Sequence, residues 1–303
     1  MSSSRTSVEV DGRQLSLSNL DKNLYPEFTK GEVIDYYARV APVMLPHLKD
    51  RAATRIRWPD GVDGGKFFEK NAPSHTPGWV RTATVPSPGS TRGRETLDYI
   101  VVDDLPTLVW CANLAALELH VPQWRIGPRG KVHAPDLVVF DLDPGPPATI
   151  LDACEVARRL AELLGDEHGL SSYPKTSGKK GLHVYVPIKE PAEAERTSQF
   201  AKGVAERLAR EHSELVVAKM EKRLRNGKVF VDWSQNNPAK TTVAPYSLRA
   251  ASSPSVSTPV TWDEVGRCAD PAALRFTPAE VLARVDEHGD LLKPLLEDQQ
   301  PLP

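Results

Sequence analysis

The chain has 303 residues of ordinary globular composition and a formal net charge of −2, so it has no overall positive field to attract nucleic acid. Any polyanionic partner must therefore be met by a local basic surface. Three cysteines without Cys-x-x-Cys spacing argue against a disulfide framework or a zinc site. The polar start of the chain, and the lack of an apolar run of about 18 residues, predict a cytoplasmic protein without membrane contact.

The N-terminal part begins with two clear local signals. Alternating residues on both sides of Asp11-Gly12 predict a β-hairpin. Thr-Lys-Gly-Glu at 29–32 is a capping box that opens an amphipathic helix. Asn19, Lys22 and Lys30 lie near the start of this helix, where an anion is favoured, although solvated surface lysines are the commoner explanation of such a pattern.

An aromatic pair, Phe67 and Phe68, follows a predicted strand over residues 54–59. Neighbouring strand residues face opposite sides, so the two rings cannot both enter one core. An exposed ring would offer a stacking platform for a base. The commoner outcome is that one ring packs inward while the other fills a loop.

The next stretch predicts a loop, a helix and an ambiguous histidine. Residues 87–94 predict a mobile loop, and the helix after it has apolar positions that continue through Ala115 and Ala116. The helix leads into residues 117–125. There His120 is either a half-buried structural histidine or a substrate contact.

The strand that ends in two aspartates is the first strong functional signal. The apolar residues 137–140 run into Asp141 and Asp143, and a Pro-Gly pair ends the run, which predicts a buried strand that stops at a turn. Side chains two residues apart share one face of a strand, with Cα atoms roughly 6.7 Å apart. Neighbouring carboxylates repel and are costly to desolvate, so a cation is expected between them. An isolated Asp-x-Asp at a strand end is also a common turn cap.

A second signal is the glycine-bracketed turn at residues 177–181, which contains Ser177 and Lys180. Small residues let backbone N–H groups approach a phosphate, and Lys180 adds positive charge. The turn is not a Walker loop, because its spacing differs and the alternating strand that contains His183 follows instead of a helix.

A third signal is the apolar strand over residues 228–236, which ends in Asp232 and follows a basic stretch. Such a strand is expected beside residues 137–143, which would bring Asp232 next to Asp141 and Asp143. Three carboxylates at adjacent strand ends are what two divalent ions about 3.5–4 Å apart require.

The C-terminal residues contribute less. Arg249 is placed to bind a triphosphate with its planar guanidinium. Residues 252–259 predict a linker, and Thr-Pro-Ala-Glu at 277–280 caps a predicted final helix.

The motifs around the three aspartates together resemble a known superfamily. They are Asp-Leu-Asp-Pro-Gly at 141–145, Thr-Ser-Gly-Lys-Lys-Gly-Leu-His-Val-Tyr at 176–185 and Val-Phe-Val-Asp-Trp-Ser-Gln-Asn at 229–236. They resemble the motifs of the archaeo-eukaryotic primase superfamily and, more narrowly, the polymerase domain of bacterial DNA ligase D, an end-joining repair enzyme. Further similar stretches at 21–26, 66–70, 120–124 and 244–249 extend the likeness over nearly the whole chain.

The resemblance implies an α+β primase-polymerase fold, in which mostly antiparallel central sheets are flanked by helices and the catalytic carboxylates lie on adjacent strands. It implies a single domain over 1–303, with 5′-phosphate and template contacts in 1–130, the catalytic core in 131–250, and a linker and helices in 251–303. Nothing resembles a ligase or nuclease domain. The chain is therefore expected to be either a stand-alone relative or an excised piece of a larger protein.

The resemblance also implies a role for each candidate residue. The implied ligands of two divalent ions, with Mn²⁺ favoured over Mg²⁺, are Asp141, Asp143 and Asp232. The residues implied around the incoming nucleotide are Ser177, Lys180, His183 and Arg249 at its phosphates and His120 near its sugar. Those implied to contact DNA are Asn19, Lys22 and Lys30 at a 5′-phosphate and Phe67 and Phe68 against bases near the template. Lys179 departs from the pattern, and its role stays open.

The implied activity is template-directed nucleotidyl transfer that fills short gaps and extends broken DNA ends in non-homologous end joining. The substrates would be NTPs or dNTPs, with ribonucleotides preferred. The implied partners are gapped or broken DNA, an ATP-dependent DNA ligase and an end-binding protein. The protein itself is expected to be a monomer associated with the nucleoid.

Three alternatives stay open. The first is a stand-alone gap-filling polymerase in excision repair. The second is a haloacid-dehalogenase-like phosphatase, whose motif requires Thr or Val where Gly145 stands. The third is a non-catalytic module that binds DNA ends through Lys22 and Lys30.

Overall fold

The computed structural model describes residues 5–86, 95–188 and 193–303, so the predicted mobile loop at 87–94 lies outside the described residues. The helices are α1 (Lys30–Leu48), α2 (Leu105–Asn113), α3 (Ile150–His168), α4 (Ala194–Glu211), α5 (Trp262–Arg267), α6 (Pro278–His288) and α7 (Pro294–Glu297). Within the described residues, none of these helices combines the length and apolar character needed to span a bilayer.

The strands form two larger sheets and several two-stranded ones. In chain order they are β1 (Arg5–Val10), β2 (Arg13–Ser18), β3 (Asn23–Tyr25), β4 (Phe28–Thr29), β5 (Ala52–Arg57), β6 (Phe67–Glu69), β7 (Thr82–Pro86), β8 (Thr96–Val101), β9 (Ala116–Val121), β10 (Trp124–Ile126), β11 (Val132–Pro135), β12 (Leu137–Pro144), β13 (Tyr173–Thr176), β14 (Leu182–Pro187), β15 (Val216–Val217), β16 (Val229–Asp232), β17 (Thr242–Val243), β18 (Leu248–Arg249) and β19 (Ser255–Val256).

The first large sheet has the order β17-β9-β5-β8-β7, with β6 paired to β5, and the second has the order β13-β14-β12-β16-β15. Every pairing in the first sheet is antiparallel, and in the second only β15 and β16 run parallel, as counted over the described strands. This arrangement confirms the predicted α+β class with mostly antiparallel sheets.

The alternation of side chains along β12 determines where the aspartates point. Val138, Phe140 and Leu142 are fully buried in a core with α3 and α4. Residues of the other parity must face the opposite side of the sheet. Asp141 and Asp143 therefore point away from the helices, toward the space between the two large sheets.

The local signals at the N-terminus are confirmed. The turn between β1 and β2 has positive φ at Asp11 and Gly12, as the tight hairpin turn favoured by Asp-Gly requires. Thr29 and Glu32 form the reciprocal capping box of α1, and the same device opens α3.

The prediction that the second helix continues through Ala115 and Ala116 is wrong. It ends at Asn113, Ala115 adopts a positive φ of 58°, and Ala116 already begins β9. Strand β9 is a central strand, paired with both β5 and β17. The burial and pairing of that strand outweigh the helical spacing of small apolar residues.

The prediction of a linker over 252–259 is wrong. Residues 255–258 are buried, and Ser255 and Val256 form β19, which pairs with β18. The small hydroxyl side chains satisfy backbone groups where two segments approach closely: Ser255 Oγ donates to Gly178 O at 2.6 Å and Ser257 Oγ donates to Thr176 O at 2.8 Å. The predicted final helix forms as α6, but α7 follows it.

Candidate active site

The three aspartates occupy neighbouring strands on one face of the second sheet. Strand β12 pairs antiparallel with β16, and Asp141 is directly opposite Asp232 in this pairing. Directly opposed residues project to the same side, with Cβ atoms about 4.5–5.5 Å apart. Asp143 lies two residues further along β12 and shares that side. The predicted proximity of Asp232 to the aspartate pair is therefore confirmed.

The neighbouring charges act differently on the two aspartates of β12. Burial, Asp141 and Asp232 raise the pKa of Asp143 to about 6, and Lys180 only partly offsets them. Burial also raises the pKa of Asp141, but His183, Lys175 and Arg249 outweigh it and hold this pKa below its usual value. Of the two aspartates on β12, Asp143 is therefore the one whose ionised form is less well stabilised by positive neighbours.

Gln235 lies between the two strand ends and was not predicted from the sequence. Its Nε2 donates to Asp232 Oδ2 at 3.0 Å and to Asp141 Oδ2 at 3.4 Å. Asp232 Oδ1 also accepts the Ser234 backbone N–H at 3.0 Å. The Gln235 amide thus donates to both carboxylates and places its partially positive N–H groups between them.

The three aspartates are candidate ligands for divalent ions. Over residues 5–86, 95–188 and 193–303, no set of three or more His, Cys, Asp or Glu side chains is arranged closely enough to hold a metal ion. The donor chemistry nevertheless fits Mn²⁺ or Mg²⁺, because carboxylate oxygens are the ligands these ions prefer and three carboxylates share one face.

A cleft of about 460 Å³ opens beside the aspartates, between the two large sheets. Its walls include every residue predicted to surround a nucleotide. The lining residues are His120, Asp141, Asp143, Ser177, Lys179, Lys180, His183, Gln235, Thr241, Thr242, Val243 and Arg249. The structure therefore brings the predicted nucleotide residues together with two of the three aspartates.

The turn at residues 177–181 is internally braced. Ser177 Oγ accepts the backbone N–H groups of Lys179 at 3.3 Å and Gly181 at 3.1 Å. Gly178 has a φ of +73°, and a Cβ there would lie 2.9 Å from backbone atoms of residues 256 and 257. A Cβ at Gly181 would lie 2.1 Å from Leu142 O. Only glycine fits at these two positions, because the turn is pressed against β12 and β19.

The basic side chains of the cleft are held by their neighbours. Lys180 Nζ donates to Pro144 O at 3.0 Å, beside the end of the aspartate strand. His183 Nε2 lies 3.3 Å from Asp141 Oδ1. Burial and the nearby Lys175 lower the pKa of His183 to about 4, so its ring is neutral at pH 7 and donates this hydrogen bond.

Two buried charged residues in this region were missed by the sequence analysis. Glu118, on β9, contacts His120, Lys179 and Arg249. Lys175, on β13, is fully buried and donates to Ser257 Oγ at 2.5 Å. Glu118 stands between two leucines in a strand, which is a weak sequence signal, and Lys175 has no comparable signal.

The residues predicted to hold a 5′-phosphate lie at the start of α1. Lys30 is only 6% exposed and donates to Ser18 O at 2.6 Å, so it is not the solvated lysine of the commoner explanation. Burial and the nearby Lys22 and Arg57 lower its pKa to about 8. Lys22 pairs with Asp60 at 2.8 Å. Asn19 has a positive φ of 54°, and its carbonyl accepts the Lys22 N–H.

The backbone N–H groups at the start of α1 are less available for binding an anion than predicted. The N–H groups of Lys30 and Gly31 donate to Lys22 O and Leu20 O, and that of Glu32 donates to Thr29 Oγ. An anion here would therefore be bound by the lysine side chains rather than by free N–H groups of the first turn.

Phe67 and Phe68 are both exposed, at 54% and 57%, so the expectation that one ring packs inward is wrong. They lie on β6, which pairs with β5 only. Glu69, the last residue of β6, pairs with the buried Arg55 and with Arg57 on β5. The two rings remain available for stacking.

Comparison with known proteins gives consistent matches. A family model described as the LigD primase-polymerase domain matches residues 29–292. The multifunctional non-homologous end joining protein LigD of Mycolicibacterium smegmatis is 46% identical over 289 residues, which are 94% of this chain and 36% of that protein. The bifunctional non-homologous end joining protein LigD of Bacillus subtilis is 35% identical over 279 residues, which are 91% of this chain and 43% of that protein. The chain thus spans less than half the length of these relatives.

A solved structure, the polymerase domain from Mycobacterium tuberculosis ligase D in complex with DNA, is similar in fold and sequence. It superposes with a TM-score of 0.87 at 46% identity, and the match covers 94% of this chain and 99% of that chain. The similarity therefore extends over a whole domain of that protein.

Replacement of Asp143 by Asn is expected to stabilise the fold in metal-free buffer at pH 8. Folding raises the pKa of Asp143 from 3.8 to about 6, so its ionised form costs about 1–3 kcal/mol of folding free energy above pH 6. The gain should shrink as the pH falls through 6 toward 3.8, and it should be small at pH 4, where the folded carboxyl is protonated and the unfolded one about half protonated. Urea unfolding of both proteins at pH 8 and pH 4 measures the difference.

The exposed Asp166→Asn is the matched control and should change stability little at either pH. An Asp143→Asn protein that is less stable than the parent at pH 8 would contradict the assigned repulsion.

Proposed function

Because this chain belongs to the LigD primase-polymerase domain family, we propose that it is a template-directed nucleotidyltransferase that fills short gaps and extends broken DNA ends in non-homologous end joining. The observation that carries the proposal is the pairing of Asp141 with Asp232, with Asp143 on the same face, beside a cleft lined by basic residues. This combination suits in-line nucleotidyl transfer, which needs an anionic metal site next to a cationic phosphate site.

In this function Asp141, Asp143 and Asp232 hold two divalent ions, with Mn²⁺ preferred. When bound, such ions activate a 3′-hydroxyl and stabilise the leaving pyrophosphate. The hydrogen bond from His183 keeps Asp141 ionised and oriented. The amide of Gln235 restrains Asp232 and Asp141 on the shared face.

The incoming nucleotide occupies the cleft. Ser177, Lys180, His183 and Arg249 contact its phosphates, and His120 lies near its sugar. The support for this placement is that all five residues line one cleft with Asp141 and Asp143. The glycine turn at 177–181 keeps its backbone close to β12, so a triphosphate bound there would reach the aspartates.

The DNA is held at two further places. Lys22 and Lys30, with Asn19 beside them, bind the 5′-phosphate at the far side of a gap. The exposed rings of Phe67 and Phe68 stack against bases near the template. Because the chain has no net positive charge, these local contacts must supply the affinity, which should fall steeply with salt.

The wider setting follows from the same proposal. A gap filled with one or a few nucleotides must be sealed, so an ATP-dependent DNA ligase and an end-binding protein are proposed partners. Ribonucleotides are the proposed preferred substrates. We propose that the protein acts as a monomer in the cytoplasm, at the nucleoid.

Replacement of Asp232 by Asn is expected to lower primer extension by more than about 100-fold, because each bound metal ion contributes several kcal/mol to the transition state. The assay is extension on a gapped, 5′-phosphorylated duplex with Mn²⁺ and NTPs. Asp166→Asn serves as the control and should extend like the parent. Retained extension by Asp232→Asn would contradict the metal assignment, and no extension by the parent on several templates would contradict the polymerase proposal.

Replacement of Lys22 by Ala is expected to reduce the preference for phosphorylated over unphosphorylated gaps, because a phosphate contact is lost. Asp60→Asn should have the opposite effect, since it frees Lys22 from an exposed ion pair worth about 0.2–1 kcal/mol, or up to about fivefold in affinity. Fluorescence anisotropy with the two gapped duplexes measures the preference. Equal losses of affinity for both duplexes in Lys22→Ala would overturn this assignment.

The preference for a 5′-phosphate is also expected to fall as the pH rises above 8. Lys30 has a lowered pKa of about 8, so it is charged below that pH and loses its proton above it. The loss of one phosphate-binding charge should weaken binding of the phosphorylated gap by up to about tenfold between pH 7 and pH 9. The unphosphorylated gap corrects for other pH effects. A preference that is unchanged from pH 7 to pH 9 would exclude Lys30 from the phosphate site.

A further inference from the structure

Glu118 is an anion placed directly behind the cationic wall of the cleft. Its side chain is only 3% exposed. Its Oε2 lies 2.9 Å from His120 Nε2 and 3.1 Å from Arg249 Nη1, while its Oε1 lies 3.4 Å from Lys179 Nζ. Oε1 also accepts the backbone N–H of Ala250 at 3.0 Å. One carboxylate therefore contacts three of the basic groups that line the cleft.

These contacts join separate parts of the fold. Glu118 and His120 lie on β9 of the first sheet, Arg249 ends β18, and Lys179 lies in the turn before β14 of the second sheet. Burial lowers the pKa of His120 below its usual value, so its ring is neutral at pH 7, and Arg249 Nη1 lies 3.4 Å from its Nε2. The two permanent positive charges at this carboxylate are those of Arg249 and Lys179. Glu118 thus offsets the repulsion between Arg249 and Lys179, which come from different parts of the fold.

The carboxylate is ionised at all working pH values. Burial raises the pKa of Glu118, but the hydrogen bond with His120 and the charges of Arg249, His120 and Lys179 lower it to about 2. The anion is therefore a permanent part of the site, present whether or not a nucleotide is bound.

The three partners are held unequally. The side chains of His120 and Arg249 are 14% and 13% exposed, and both contact the same carboxylate oxygen. Lys179 is 43% exposed, and its contact of 3.4 Å is the longest of the three. A flexible, half-exposed ammonium group can leave such a partner at small cost, whereas the two buried groups cannot.

We propose that Glu118 is a positioning residue that fixes Arg249 and His120 for the incoming nucleotide and releases Lys179 to the nucleotide's phosphate. The inference rests on the proposed nucleotidyl transfer in this cleft, and it gives Lys179 a role. In the free protein Glu118 is the internal anion for Lys179, and a phosphate replaces it on binding. Arg249 and His120 keep their contacts with Glu118 throughout.

The proposal predicts a split between binding and turnover in Glu118→Gln. The amide keeps the shape and can still accept the Ala250 N–H, but it no longer attracts the three basic groups. ATP should bind as tightly as to the parent or more tightly, because Lys179 and Arg249 no longer have a competing anion. The kcat for primer extension should fall by about 10- to 100-fold, because Arg249 and His120 are no longer held in place.

The hand-over of Lys179 is tested by a double-mutant cycle with Lys179→Met. In the parent, Lys179 must leave Glu118 before it binds a phosphate. The Lys179→Met substitution should therefore lower the affinity for ATP only modestly. In the Glu118→Gln background the lysine is free, and the same removal should cost at least about threefold more. An equal effect in both backgrounds would overturn the hand-over.

The measurements are direct ATP binding in the presence of Mn²⁺ without DNA, and kcat and KM for ATP in gap filling. Glu297→Gln, which breaks an exposed pair with Lys293 far from the cleft, is the control and should change neither. If Glu118→Gln does not fold, Glu118→Asp replaces it. Its carboxylate is one methylene too short to hold both Arg249 and His120, so it should bind ATP normally and lose kcat.

The outcomes separate the two proposals. Unchanged kcat in Glu118→Gln, or losses of ATP affinity and kcat in parallel with the folded fraction, would overturn the positioning role. If the parent itself fails to extend any primer, the proposed polymerase function fails. The double-mutant cycle on ATP binding would still decide whether Glu118 and Lys179 act on one phosphate.

Discussion

The repulsion among three carboxylates on one face of a sheet is the constraint on which the site depends. Asp141 and Asp232 are paired across β12 and β16, and Asp143 follows on the same side. Like charges directly opposite each other on neighbouring strands destabilise a sheet. The sheet tolerates them because β12 is anchored on its other face by Phe140 and Leu142, which pack under α3 and α4. Packing of the apolar face of β12 thus offsets the repulsion among the carboxylates on its other face.

The charges around the cleft form alternating layers. The aspartates are at one end, the basic groups of the glycine turn and β18 line the middle, and Glu118 lies behind those groups. Each layer moderates its neighbour, since Lys180 lowers the pKa of Asp143, and Arg249 and Lys179 lower that of Glu118. A triphosphate with bound cations, the substrate proposed above, repeats the same alternation of charge.

Much of this arrangement can be predicted from the sequence, because the signals are local. Asp-Gly predicts the first hairpin, Thr29 and Glu32 predict the start of α1, and the apolar run before Asp141 predicts β12. The pairing of Asp232 with that strand follows from two strands of similar character that both end in aspartate. The family resemblance supplies roles that spacing alone does not.

The remaining features depend on contacts distant in sequence. Ala115 fits a helical pattern, but pairing of β9 with two other strands determines its conformation. Residues 255–258 have linker-like composition, yet they are buried against the turn at Gly178. Glu118 has the appearance of an ordinary charged residue in a strand until Arg249, more than a hundred residues later, lies beside it.

The central claim is that Asp141, Asp143 and Asp232 together hold a pair of divalent ions. Anomalous diffraction from crystals of this chain soaked with Mn²⁺ and a non-hydrolysable nucleotide tests it most directly. The account predicts two manganese peaks about 3.5–4 Å apart, each touching at least one of the three carboxylates and both near the Gln235 amide. Manganese bound elsewhere, or a single ion that leaves Asp232 without contact, would contradict it.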